Sequence, residues 1–339
     1  MIDLRSDTVT LPTEPMIEAM FSAKVGDDVF GEDPSINTLE DKAAEMFGMD
    51  AGLYCPSGTM TNQIAIRCHV KPGEEVICDK TAHIYNYEGG GIGANSGASV
   101  RLIDGERGKI FPEQIVDSVN PYDYHYPASK LVSIENTSNK GGGSFYSIQQ
   151  MIAIKEVCIQ HNLAYHLDGA RIFNALVAMN EKSQSLSGIF DSISICLSKG
   201  LGAPMGSLLL GSKDFIGNAR RMRKMMGGGM RQAGYMASAG IYAIENHIDR
   251  LKEDHNRAAE LGSVIVNLSF VQEMQPIETN IVIFKLQESM GRDRFISLLK
   301  DNGILVVPLG NQVVRMVTHM EITDSMINEV SNILKSITK

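Results

Sequence analysis

Short apolar runs that stop at Gly, Pro, Ser or Asp alternate along the chain with stretches whose apolar positions recur every three to four residues. Ile36, Leu39, Ala43 and Met46 mark one helical face, and Ser35 stands where an N-cap is expected. Leu53-Tyr54-Cys55 stops at Pro56-Ser57-Gly58, after which Met60, Ile64 and Ala65 return to helical spacing. Val76-Ile77-Cys78, Val100-Arg101-Leu102-Ile103 and Lys130-Leu131-Val132-Ser133-Ile134 read as strands. Ile148 to His161 reads as an amphipathic helix, and Leu163-Ala164-Tyr165-His166-Leu167 as a strand ending at Asp168. Ile193-Ser194-Ile195-Cys196-Leu197 leads to Lys199, and Ser207-Leu208-Leu209-Leu210 is stopped by Gly211. This alternation predicts an α/β domain around a largely parallel sheet.

The pattern changes after Gly234. Tyr235 to Leu268 reads as one long helical linker, rich in Ala and charge. Beyond it come strands at Asn280–Phe284, Val306 and Val313-Val314, a helix near Phe295–Lys300 and a last helix from Thr323. The expected division is a large α/β domain over residues 1–245 and a small α+β domain over 246–339, the first residues packing with the small one.

A chain of 339 residues with 43% hydrophobic and 21% charged residues excludes disorder, collagen-like repeats and disulfide scaffolds. Lys and Arg number 31 against 40 Asp and Glu, a formal net charge of −9, which argues against nucleic acid or an anionic membrane as partner. Cys55, Cys68, Cys78, Cys158 and Cys196 are scattered without zinc-like spacing, so no metal is expected and a reducing cytoplasmic setting is. The start, Met1-Ile2-Asp3-Leu4-Arg5-Ser6-Asp7, carries charge where a signal peptide is apolar, and no apolar run approaches ~18 residues.

In an open α/β sheet, ligands sit at the carboxyl ends of the strands. Ser57-Gly58-Thr59 opens a helix there, with backbone N–H groups suited to a phosphate, though it is no Walker A loop. Asp168 ends a second strand, and a buried carboxylate can keep a pyridine nitrogen protonated. Arg171 offers a fork for a substrate carboxylate. Lys199 follows a third strand, and a partly desolvated lysine is a nucleophile for carbonyls. Taken singly these are a capped turn, an Asp168–Arg171 ion pair and a strand-end lysine. Taken together they fit pyridoxal 5'-phosphate better than any nucleotide. A Gly-x-Gly-x-x-Gly turn after the first strand is missing, which weighs against a nicotinamide oxidoreductase.

The chain resembles the low-specificity and L-allo-threonine aldolases. The matching segments are Leu4–Thr10, Gly26–Pro34, Pro56–Asn62, Glu135-Asn136-Thr137, His166–Asn174, Cys196–Gly202 and Gly227–Gln232, with a weaker match at Val314–His319. The resemblance implies a pyridoxal-phosphate-dependent transferase-like fold (fold type I), pyridoxal phosphate as cofactor, and cleavage of threonine or allo-threonine to glycine and acetaldehyde. It implies that Lys199 forms the Schiff base, Asp168 pairs with the pyridine nitrogen, Ser57, Gly58 and Thr59 hold the phosphate, and His83 stacks on the ring. Ser6, Arg171 and Arg315 would grip the substrate carboxylate. His125 would lie near the substrate hydroxyl, which leaves His125 and His83 as candidate bases. Members are usually homotetramers, so Arg231 would reach a phosphate across an interface. Two departures stand out: Ser138-Asn139-Lys140 where His-Asn-Gly is common, and Phe30 where a tyrosine is. The competing readings are a β-eliminating lyase or aminotransferase of the same fold, and a non-catalytic interaction protein. The basic cluster Arg220-Arg221-Met222-Arg223-Lys224 reads as a solvated helix face or a subunit contact.

Overall fold

The computed structural model describes residues 1–337. It opens on β1 (Ile2–Asp3), which pairs in parallel with Ile304–Leu305 near the other end of the chain. α1 (Glu14–Phe21) and α2 (Pro34–Phe47) follow. The expected Ser35 cap is displaced two residues upstream. Asp33 Oδ1 accepts from the Ser35 and Ile36 N–H groups, and Pro34 takes the first helical position, where its missing N–H costs nothing.

Seven strands form the central sheet: β2 (Ala51–Cys55), β3 (Glu74–Asp79), β4 (Ser99–Ile103), β5 (Ala128–Glu135), β6 (Ala164–Gly169), β7 (Ser192–Cys196) and β8 (Ser207–Gly211). Their spatial order is β2-β8-β7-β6-β5-β3-β4. Only β8 is antiparallel to its neighbours, so the other six strands end on one edge. Between these strands lie α3 (Gly58–His69), α4 (His83–Asn86), α5 (Pro112–Ser118), α6 (Ile148–Gln160) and α7 (Ile172–Met179), and α8 (Lys213–Met225) follows the last of them. α3 and α8 seal one face through Ile64, Leu209 and Ile216. α2, α6 and α7 pack on the other through Leu39, Ile154 and Leu176. Each such side chain contributes about 1.5–3 kcal/mol by leaving water.

The expected long linker is two helices, α9 (Gly234–Asn246) and α10 (Leu251–Ile265). The break follows His247, whose Nδ1 bonds the Leu201 carbonyl at 2.7 Å, a tertiary tie with no local signature. Beyond it an antiparallel sheet is built from β9 (Val271–Met274), β10 (Ile281–Leu286), β12 (Val307–Gly310) and β13 (Val313–Val317), in the order β12-β13-β10-β9, with β11 (Ile304–Leu305) held by β1. α10, α11 (Arg292–Asp301) and α12 (Asp324–Ser336) share a second apolar core with Ile2 and Leu4. Among the described residues no helix is long and apolar enough to cross a membrane.

The basic cluster of α8 is only partly a solvated face. Arg223 is buried, pairs with Asp28 at 2.6 Å and donates to the Tyr54 carbonyl, while Arg220 pairs with Glu40.

Candidate active site

The shared edge of β2, β3, β5, β6 and β7 gathers most of the expected residues. Ser57 caps α3, its Oγ accepting from the Met60 N–H at 3.2 Å. The N–H groups of Gly58 and Thr59 then point out of the first turn, where no helix carbonyl can reach them. Beneath them, Ser207 Oγ is fully buried and, among the described residues, without a partner, 3.5 Å from where a Gly58 Cβ would sit. That unmet hydroxyl and the free N–H groups suit a phosphate.

Asp168 ends β6 beside Glu135 of β5. Its Oδ2 accepts from Asn62 at 2.9 Å and its Oδ1 from the Ala170 N–H at 3.2 Å. The other Asn62 amide hydrogen goes to Glu88 Oε1. Glu88 in turn holds His83 Nδ1 at 3.0 Å, and ligand atoms of His83, Glu88 and Asp168 lie within 4.8 Å of one another. Two buried carboxylates therefore face a single imidazole, and a protonated ring nitrogen would balance the excess. Burial alone would lower the His83 pKa; the Glu88 hydrogen bond and the charges of Asp168 and Glu135 outweigh it and raise it.

Lys199 lies in the turn after β7. Its carbonyl accepts from Gly202 N–H at 2.8 Å and Thr10 Oγ1 at 3.1 Å, and Gly202 has the left-handed φ of 77° that the turn requires. Its charge reaches both Asp7 and the buried Cys196 thiol. Burial would raise that thiol's pKa, but Lys199 and the Ser198 hydroxyl, 3.4 Å from its Sγ, bring it below the usual value.

Arg171 pairs with Asp7, not with Asp168. Its Nε and Nη2 donate to the two Asp7 oxygens at 2.7 and 2.6 Å. Burial would raise the Asp7 carboxyl, yet Arg171, helped by Lys199, holds it at about 2. Ser6, next in the chain, caps the short turn beyond it. Arg315 on β13 donates to Asn139 Oδ1 at 2.6 Å and to the Arg5 carbonyl at 3.0 Å. Its Nε has no partner, and among the described residues no carboxylate pairs with it. Burial and the nearby Arg171 charge lower it to about 10, so it stays charged at neutral pH. Asp7 neutralises Arg171 alone, which leaves the positive charge of Arg315 for an incoming carboxylate.

Glu135 ties these parts together. Its Oε2 accepts from the His83 N–H at 3.1 Å and its Oε1 from the Asn139 N–H at 3.0 Å. Burial, then the Asp168 charge, push its pKa up to about 7. The folded value lies above the usual 4.5, so the stabilisation tied to its proton is complete below about 4.5 and lost as pH rises through about 7. We expect urea unfolding of the apoprotein to show parent stability falling by roughly 3 kcal/mol relative to Glu135→Gln across that window. A pH-independent gap between the two proteins would contradict this.

Two expected residues stand apart from this group. His125 is exposed on the β4–β5 side of the molecule, its Nδ1 on Asp123 Oδ1 at 2.7 Å. Arg231 is exposed ahead of α9 and pairs with Asp27 at 2.8 Å. Sequence reasoning missed Asn62, Glu88 and Glu135, although Asn62 stands one helical turn after Gly58, on the same face of α3.

The sequence model of the beta-eliminating lyase family matches residues 3–289. The low specificity L-threonine aldolase of Escherichia coli (strain K12) is 40% identical over 332 residues, covering 98% of this chain and 97% of that protein. The Leishmania major threonine aldolase structure superposes with a TM-score of 0.86 at 22% identity, covering 99% of both chains. A structure of SPT with pyridoxal phosphate (PLP) superposes at 0.75 and 18% identity, over 99% of this chain and 86% of that one.

Proposed function

The chain belongs to the beta-eliminating lyase family and within it to the low-specificity threonine aldolases, and from that premise we propose that it cleaves L-threonine and L-allo-threonine to glycine and acetaldehyde. The observation that carries the reading is that buried Asp168 on β6 and Lys199 after the adjacent β7 share one sheet edge, while buried Arg315 of β13, without a carboxylate partner among the described residues, is tied to that edge through Asn139 and Glu135. The unmet Ser207 hydroxyl, the α3 N-terminus and the carboxylate pair fit pyridoxal phosphate. When bound, pyridoxal phosphate supplies an electron sink for the pair left on Cα as the Cα–Cβ bond breaks.

The protein's own groups do the rest. Gly58, Thr59 and Ser57 bind the phosphate at the start of α3. Lys199 would hold the cofactor through its amine, and Asp168 would keep a proton on its ring nitrogen. His83, anchored by Glu88, would pack against the ring. Arg315, with Ser6 and the Asp7-bound Arg171 beside it, would bind the substrate carboxylate and so orient the Cα–Cβ bond for cleavage. That orientation selects cleavage over transamination.

The β-hydroxyl proton needs a base, and a histidine is suited to the task. We assign it to His125, delivered by a neighbouring copy in a homotetramer. In support, Tyr122, Tyr124 and Tyr126 beside it are all exposed, as is Phe30, whose N–H bonds the carbonyl of Asp27, the partner of Arg231. So much exposed aromatic and apolar surface calls for a cover. Co-assembled Lys199→Ala and His125→Phe subunits should then regain activity that neither has alone. Hybrids as inactive as their parents would remove His125 from a neighbour's site. The five free cysteines support a reducing, cytoplasmic compartment.

The test of the reaction is product analysis with both threonine diastereomers. Equal yields of glycine and acetaldehyde are expected. Ammonia with a keto acid, or a requirement for a keto-acid acceptor, would mark the elimination or transamination of the competing readings.

A further inference from the structure

A chain of hydrogen bonds crosses the sheet behind Asp168. His69, at the end of α3, places Nε2 2.8 Å from Ser192 Oγ on β7. Ser192 Oγ is also 2.8 Å from His166 Nδ1 on β6. His166 Nε2 is 3.2 Å from Asn62 Oδ1, and Asn62 Nδ2 bonds Asp168 Oδ2 at 2.9 Å. Asn62, His166 and Ser192 are buried, whereas His69 lines a surface cavity of about 290 Å³ with Asp50, Asp191 and Phe215.

The direction of every bond follows from the Asp168 end. Asn62 faces two carboxylates, Asp168 and Glu88, and must turn its two N–H groups toward them. Its carbonyl is then left for His166, which must donate from Nε2. A neutral His166 with Nε2–H accepts at Nδ1, so the Ser192 hydroxyl donates there. The Ser192 oxygen is left to accept from His69 Nε2–H. His166 must be neutral for this pattern, because its Nδ1 accepts, whereas His69 needs only its Nε2–H. Burial provides for that, lowering His166 to about 3 and His69 to about 4; the neighbouring His69 charge adds to the first, and for the second Asp191 only partly offsets the burial.

We propose that His69, Ser192, His166 and Asn62 form a one-directional hydrogen-bond chain that positions the Asp168 carboxylate, running from the surface cavity to the cofactor ring. These are positioning residues, because none touches the reacting atoms. The inference rests on Asp168 holding the ring nitrogen, as the functional reading has it. In strand alternation His166 and Asp168 share a side of β6, and Ser192 lies in register with His166 on β7. The chain therefore spans two adjacent strands and the α3 helix that also carries the phosphate cradle. A fixed carboxylate needs no reorientation during the reaction, which is where preorganised charge gains its effect.

Two buried serines two residues apart provide the test. Ser192 is in the chain. Ser194, also on β7 and in register with Asp168 itself, bonds Thr61 Oγ1 at 2.6 Å and is outside it. Ser192→Ala and Ser194→Ala remove the same atom from the same strand. For each holoenzyme we would measure the pyridoxal phosphate dissociation constant by equilibrium dialysis, together with kcat and KM for threonine. The expected result for Ser192→Ala is about a fivefold loss of cofactor affinity and a similar fall in kcat, with KM unchanged. Ser194→Ala should stay within about twofold of the parent on every parameter. Equal effects from the two serines, or none from Ser192→Ala, would overturn the proposal. A parent protein that binds no pyridoxal phosphate would instead defeat the functional reading on which it rests.

Discussion

Asp168→Asn should lower kcat for threonine by about two to four orders of magnitude while the fold persists. The carboxylate is buried and accepts from Asn62 and the Ala170 N–H, so its charge is fixed in place rather than shared with water. A neutral amide of the same shape cannot keep a proton on the ring nitrogen. Removing one partner from a buried charge pair costs about 3–5 kcal/mol, which corresponds to roughly 10²–10⁴ in rate when it is felt in the transition state. The NH2 of the amide would also face a donor in either orientation, the Asn62 amide or the Ala170 N–H. Glu88 and His83 keep their contacts, so unfolding is not expected to explain the loss. The check is steady-state kinetics on cofactor-saturated protein alongside circular dichroism. A variant within about fivefold of the parent would mean that Asp168 does not set the reaction barrier.

Arg315→Gln should act on KM instead. The guanidinium is buried, charged and, among the described residues, without a carboxylate partner, held in place by Asn139 and the Arg5 carbonyl. Binding a substrate carboxylate would complete it. Truncating one side of such a buried pair costs about 2 kcal/mol or more, so the kcat/KM for threonine should fall at least about 30-fold. The loss should fall mainly on KM, because the carboxylate is gripped equally before and during bond cleavage. Cofactor affinity should hardly move, since the phosphate cradle and Asp168 lie on other elements. An unchanged KM would assign the carboxylate to Arg171 alone, freed from Asp7.

The alternation of strands and helices was legible because buried parallel strands are continuously apolar and their crossovers repeat every 3.6 residues. The reversal of β8 was not, since apolar content carries no direction. Nor was the kink at His247, which depends on a carbonyl 46 residues away. At the site, the residues that end strands stood out: Asp168 and Lys199 are chemically unusual where a sheet turns outward. Arg171 was visible as a cation, but its partner Asp7 lies 164 residues upstream and no spacing rule reaches it. Asn62, Glu88, Glu135 and His166 act through other side chains, and such roles emerge only when the chain is folded. His166 did leave a trace, for it stands two residues before Asp168 on one strand, where alternation places both on the same side. Of the two residues that stand apart in the single chain, the resemblance sends only Arg231 across an interface; it places His125 near the substrate hydroxyl, whereas in the single chain His125 is exposed beside Asp123.

The central claim is that Lys199 holds pyridoxal phosphate at this sheet edge. The most direct measurement is borohydride reduction of the cofactor-loaded protein, followed by peptide mass analysis, for the parent and for Lys199→Ala. The parent should show a yellow absorbance that borohydride bleaches, with the reduced cofactor mass on the peptide containing Lys199. Lys199→Ala should retain no covalently fixed cofactor. A label on a different lysine, or a fixed cofactor in Lys199→Ala, would contradict the account.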